Sequence, residues 1–213
     1  MTWLSDHWSE FFDLLGHHAY LAGVPLVLGL VFALPLGWLA VRFAPLRQPL
    51  VLGTGLLYTI PSLALFILLP GILGTGILES VNVLVAMTIY TIALLTRTVA
   101  DGLGSVPQDV RLSATAMGVR QFRRLLTVDL PLAVPVIAAG LRVAAVSNVS
   151  IVSVAALIGV PQLGLLFTDG FSRDFADPLV VGVVGCVVLA IVFDVAIVVL
   201  TRVATPWQRG RAA

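Results

Sequence analysis

Long uncharged stretches constrain this chain more than any other feature. Residues 19–41, 51–69, 81–99 and 179–200 are almost continuously apolar. Each is close to the ~20 residues that a helix needs to cross a bilayer. A fifth apolar stretch, 131–160, is longer than one crossing requires and carries Pro131, Pro135, Gly140 and a polar patch. It reads as one tilted or bent span followed by a loop, because no charged turn divides it. The chain is 59% hydrophobic and 11% charged, against about 25% charged in soluble domains. A soluble monomer, a disordered chain and a nucleic-acid binder are therefore unfavoured. The expected fold is all-α, a polytopic membrane protein of about five transmembrane helices.

Charge placement sets the expected orientation. All 12 basic residues are arginine, and arginine collects in cytoplasmic loops. Arg42 and Arg47 follow span one, and Arg97, Arg111, Arg120, Arg123 and Arg124 follow span three. Arg202, Arg209 and Arg211 lie in or near the tail at 204–213. The segment before span one has only acidic residues, the loop after span two has Glu79, and the loop after span four is mostly acidic. The alternation predicts an external N-terminus and a cytoplasmic C-terminus. Residues 1–18 lack the basic start of a signal peptide. Trp3, Trp8, Phe11 and Phe12 among acidic residues suggest an amphipathic helix in the outer interface, with a plain extension of span one as the alternative. The histidines, His7, His17 and His18, read as interfacial polar residues, and no metal site is expected.

The single Cys186 excludes an intrachain disulfide or cysteine zinc site. The absence of lysine excludes a P-loop and Schiff-base chemistry. The chain is not expected to be an enzyme. Its informative segment is the loop 98–131, long for so small a membrane protein. Helical periodicity over 111–126 puts Ala114, Met117, Gly118, Phe122 and Leu125 on one face and Arg120, Arg123 and Arg124 on the other. Three uses fit such a helix: lying on anionic lipid, solvation, or docking a soluble partner that small residues let approach closely.

Ala114-x-x-x-Gly118, nine further residues, then Val128-x-Leu130-Pro131 resembles the coupling loop of permease subunits in type I binding-protein-dependent ABC importers. The family motif places Glu and Ala where this chain has Leu112 and Ser113. The resemblance extends over residues 17–203. It implies a transmembrane domain whose loop, through Ala114, Met117, Gly118, Phe122, Leu130 and Pro131, couples to cytoplasmic ATPase subunits, with Gly118 in a steric role. It further implies two ATPase subunits holding ATP and magnesium, with no cofactor on this chain. A second permease copy or paralogue, an external substrate-binding protein and a multi-pass location in a bacterial inner membrane complete the expectation. Tyr58-Thr59-Ile60-Pro61-Ser62-Leu63-Ala64-Leu65 is similar to a segment of osmoprotectant permeases, which import glycine betaine, proline betaine, carnitine or choline. Permeases for methionine or other amino acids share much of the frame.

Helix breakers and polar groups inside spans are the candidates for a translocation path: Tyr58, Pro61, Ser62, Ser147, Asn148, Ser150 and Ser153. Hydrogen bonding between packed spans is the competing use for the polar ones. No aromatic cluster falls within a span, so tight recognition of a quaternary ammonium is expected on the binding protein, with Tyr58 and Tyr90 the only in-span tyrosines in a position to touch the solute. Arg142 and Asp194 fall at similar depths, about 16 Å and 12 Å from the inner end at helical rise, and are expected to form a structural ion pair. A secondary transporter is a weaker fit, because five spans do not divide into two equal repeats. An intramembrane enzyme is disfavoured because no histidine is expected within a span.

Overall fold

Small residues decide which helices lie closest. The computed structural model describes residues 2–207. The helices are α1 (Thr2–Asp6), α2 (Trp8–Arg42), α3 (Ala44–Tyr58), α4 (Ser62–Leu73), α5 (Ser80–Gly104), α6 (Gln108–Ala116), α7 (Gln121–Arg124), α8 (Leu130–Val152), α9 (Leu165–Ser172) and α10 (Ala176–Ala204). One face of α2 carries Ala22, Gly29, Ala33, Gly37 and Ala40, all buried. A Cβ built on Gly37 would lie 2.6 Å from Val99 Cβ, and one on Gly29 would collide with Thr91. Without side chains at these two points, α2 and α5 form the tightest seam in the bundle. Without a hydrophobic drive between helices in lipid, such close backbone approach is a main source of association. Helix α8 packs against α5 in the same manner, Gly140 meeting Thr98, and α10 closes against α8.

Two apolar clusters fill the interior. One joins Leu21, Phe66, Val83, Met87 and Val149, and the other joins Leu26, Leu95, Val99, Ile137 and Ala144. Helices α2, α5 and α10 and the run 121–158 are each long and apolar enough to cross a membrane. Span four is continuous: a π-turn (Leu125–Asp129) leads into α8, which runs on as a 3-10 segment, Ser153–Ile158.

Span two departs from expectation. It is a broken pair, α3 and α4, bent by 99° across residues 59–61. Pro61, at φ −60° and ψ 132°, cannot donate a backbone hydrogen bond or continue the α3 helix.

The N-terminal segment is also different. Residues 8–18 belong to the 35-residue α2, and only the short α1 is separate. Trp3, Phe11 and Leu15 pack on Leu163 and Leu166, so the apolar face finds protein as its partner. The spans run past their expected limits: α5 ends at Gly104 and α10 occupies Ala176–Ala204, so the loop begins later than residue 98. Of the tail, residues 208–213, with Arg209 and Arg211, lie outside the described residues.

Charge is segregated between the two ends. Arg47 and Arg97 both approach Asp101, at 3.8 and 3.7 Å. Arg42, Arg111 and Arg124 line one polar cleft at that end. At the opposite end Glu10 and Asp169 share a cleft.

Candidate functional site

The loop at the arginine end is not one helix. Helix α6 stops at Ala116, and Gly118 takes φ +79° before α7 begins. That left-handed conformation is costly for residues with a Cβ. Within this chain a Cβ on Gly118 would meet nothing within 4 Å, so among the chain's own contacts the glycine serves the turn. The expected common face therefore splits. Ala114 is buried, whereas Leu112, Met117 and Phe122 are 61%, 76% and 69% exposed. Leu130 packs into the core and Pro131 occupies the first turn of α8, where a missing N–H is harmless.

An ion network fixes this loop to the bundle. Asp129 is buried, with Arg111 and Arg124 each 3.4 Å from its carboxylate oxygens. Arg111 also donates to the Leu103 carbonyl at the end of α5, and Arg124 donates to Thr115 Oγ1 at 2.9 Å. A buried carboxylate needs such partners. The network ties α5, α6, α7 and the head of α8 together. Helical periodicity missed it because Arg111 and Asp129 meet only after the chain turns at Gly118. Arg124, expected on a solvent face, points inward, while Arg120 and Arg123 remain exposed.

The in-span polar residues separate into two groups. Asn148 is 2% exposed. Its amide donates to the Ala22 carbonyl at 3.2 Å and to Thr91 Oγ1 at 3.0 Å, holding α8 to α2 and α5. Asn148 therefore sits inside the protomer and lines no outward surface. Ser150 is exposed, while Ser147 and Ser153 are half-buried, the latter donating to the Ser150 carbonyl at 2.6 Å. His18 also corrects its expectation, since it is fully buried within the long α2 helix. It contacts the Val149 carbonyl at 2.9 Å and Gln162 Oε1 at 3.0 Å. Gln162 in turn binds the Ser153 carbonyl at 3.1 Å and the Gly164 amide at 2.5 Å. This hub anchors the turn between α8 and α9.

Arg142 on α8 and Asp194 on α10 form a bidentate pair at 2.5 and 2.9 Å. It is open on one side, the side chains being 47% and 29% exposed. Pairing lowers the cost of charge at membrane depth.

The break in span two exposes Tyr58, Thr59 and Pro61, with Ser62 half-buried. Two tyrosines do meet within the spans, contrary to expectation. The rings of Tyr58 and Tyr90 lie edge to face, with centroids 5.7 Å apart. Tyr90 donates its hydroxyl to the Ile60 carbonyl at 2.6 Å, supplying the bond that the break removed. Sequence separation hid the contact, since 32 positions divide the two residues. Among the described residues no group of three or more metal-ligating side chains gathers.

Four apolar helices, a broken pair and an arginine-rich helical loop make a polytopic membrane protein. Residues 26–209 match the family described as binding-protein-dependent transport system inner membrane component. The chain belongs to that family and is an inner-membrane permease subunit. It is 33% identical over 209 residues to the osmoprotectant import permease protein OsmW of Salmonella typhimurium, covering 96% of both chains. It is 28% identical to the glycine betaine/carnitine/choline transport system permease protein OpuCB of Bacillus subtilis, covering 97% of this chain and 94% of that one. The inward-facing MetNI methionine ABC transporter shares the fold, with a TM-score of 0.84, 19% identity and coverage of 94% of this chain and 98% of that one.

Proposed function

We propose that this chain forms one half of the path of an ABC importer for a compatible solute bearing a quaternary ammonium, such as glycine betaine, carnitine, choline or proline betaine. The observation that carries this reading is end-to-end similarity to osmoprotectant permeases, at 33% identity over 96% of the chain. Methionine transport is less favoured, because that likeness rests on fold at 19% identity. The arginine end faces the cytoplasm by the positive-inside rule. The chain is non-catalytic: two ATPase subunits hold ATP and magnesium, a second permease subunit completes the path, and an external binding protein delivers solute.

Met117 and Phe122, exposed on the cytoplasmic loop beside buried Ala114, are the ATPase-docking side chains. Gly118 shapes their turn, and Leu130 and Pro131 join the loop to span four. Closing of the ATPase pair moves the loop, and the Asp129 network carries that movement to α5 and α8. Pro61, Ser62, Ser147, Ser150 and Ser153 contribute to the path, while Asn148 and the Arg142–Asp194 pair hold its frame.

The test uses the whole transporter. Met117→Asp combined with Phe122→Asp should lower solute uptake at least tenfold and prevent co-purification of the ATPase, with membrane levels unchanged. Undiminished uptake by this double variant would remove the docking assignment. A wild-type transporter that imports methionine but none of the four solutes would remove the substrate assignment.

A further inference from the structure

The break in α3–α4 lies deep in the membrane. Tyr90, which touches Tyr58, is ten residues from the start of α5 and fourteen from its end. At helical rise these are about 15 Å and 21 Å, so the contact sits near the middle of a hydrocarbon core about 30 Å thick. Residues 59–61 are non-helical, and Thr59 and Pro61 are exposed on this chain. Non-helical backbone at that depth is tolerated where protein buries it or where it lines a watery cavity, and not against lipid. The exposed side of the break therefore faces the path or the second permease subunit that borders it.

Tyr58 is the aromatic side chain at this point, 38% exposed. Tyr20 and Phe32 are more exposed, but both stand on the unbroken α2, whose backbone is satisfied within the helix and can face lipid. Tyr58 is also held in place. The Tyr90 ring meets it edge to face, and Tyr90 is itself buried and fixed by its bond to Ile60. A tyrosine face attracts a cation by its quadrupole, and quaternary ammonium groups, which lack N–H donors, are suited to this mode of recognition.

Resting on the osmoprotectant reading above, we propose that the Tyr58 ring is the in-path contact for the quaternary ammonium of the transported solute, with Tyr90 as its positioning residue. A single ring gives a weak, brief hold. That suits a path, where solute released by the binding protein must also leave.

The experiment reconstitutes the complete transporter in liposomes with saturating binding protein and measures glycine betaine uptake. Tyr58→Phe, which keeps the ring, should retain the rate within about twofold. Tyr58→Leu should lower it about two- to fivefold, the range expected of one exposed cation–π contact. Phenylalanines carrying one, two and three ring fluorines at position 58 keep the shape while weakening the quadrupole, and uptake should fall stepwise along that series. Tyr90→Phe should reduce uptake while leaving the fluorine dependence in place. If wild type imports glycine betaine, a flat fluorine series in properly inserted protein, or equal rates for Tyr58→Phe and Tyr58→Leu, overturns the assignment of Tyr58 alone. If wild type imports none of glycine betaine, carnitine or choline, the substrate reading fails first and takes this proposal with it.

Discussion

The α2–α5 seam and the α3–α4 break are neighbours built on opposite principles. In the seam, small residues bring two backbones together, and nothing larger fits at Gly29 or Gly37. In the break, Gly53 and Gly55 of α3 have nothing within 4 Å, and Thr54 is the buried residue of that helix. One region is a frame with every contact made inside the chain. The other is held by Tyr90 through the Ile60 carbonyl and the Tyr58 ring, yet leaves Tyr58, Thr59 and Pro61 exposed on the chain. An importer needs both, because a path must open and close against something that does not move.

The sharpest way to break this contrast is Gly29→Leu. Its side chain would collide with Thr91 at the centre of the seam. Overpacking of a dense interior costs about 1–3 kcal/mol and sometimes more, and backbone-to-backbone approach leaves little room to relax. The expected result is a loss of about 3 kcal/mol or more, seen as a collapse of membrane-inserted protein and of its thermal midpoint in detergent. Normal accumulation of this variant would mean that α2 and α5 can separate, and the seam would then belong to the moving part.

Asn148→Leu probes the same frame more gently. It removes the amide that binds Ala22 and Thr91 while keeping the branched shape and number of heavy atoms of the side chain. Interhelical hydrogen bonds in membranes contribute on average about 0.6 kcal/mol and at most about 1.7 kcal/mol. A destabilisation of about 1 kcal/mol is expected, with uptake retained when measured per folded transporter. An uptake defect in a fully stable protein would instead move Asn148 from the frame to the path.

Four of the spans, the charge alternation and the spacing of the loop motif were legible in the sequence because each is local. Hydropathy needs only a window, and the spacing from Ala114 to Pro131 only a count. What was illegible depended on the chain returning to itself. His18 looked interfacial because nothing near it in sequence suggests Gln162 or the Val149 carbonyl. Gly118 stood out only as a small residue on a helical face, and the left-handed turn it makes after α6 has no signal in helical periodicity. Pro61 gave the site of a lost hydrogen bond but not a 99° bend, since the angle depends on where α4 finds packing against the N-terminal half of α5. The Asp129 network and the Tyr58–Tyr90 contact likewise required the turn at Gly118 and the bend at Pro61 to exist first.

Gly55→Ala carries the smallest expected effect and sharpens the contrast from the other side. The added methyl meets no atom within 4 Å, and alanine is the better helix former by up to about 1 kcal/mol in water. In lipid the helix is already enforced by backbone satisfaction, so the stability of the isolated chain should change by less than about 0.5 kcal/mol. The thermal midpoint in detergent is therefore expected to match wild type, and uptake by the assembled transporter becomes the informative measurement. A shift in midpoint like that of Gly29→Leu would show that α3 is packed as tightly as α2, and the division between frame and path would be drawn in the wrong place. An unchanged midpoint with altered uptake would place α3 at a surface used only in the assembled transporter, which is where an exposed break at mid-membrane requires it to be.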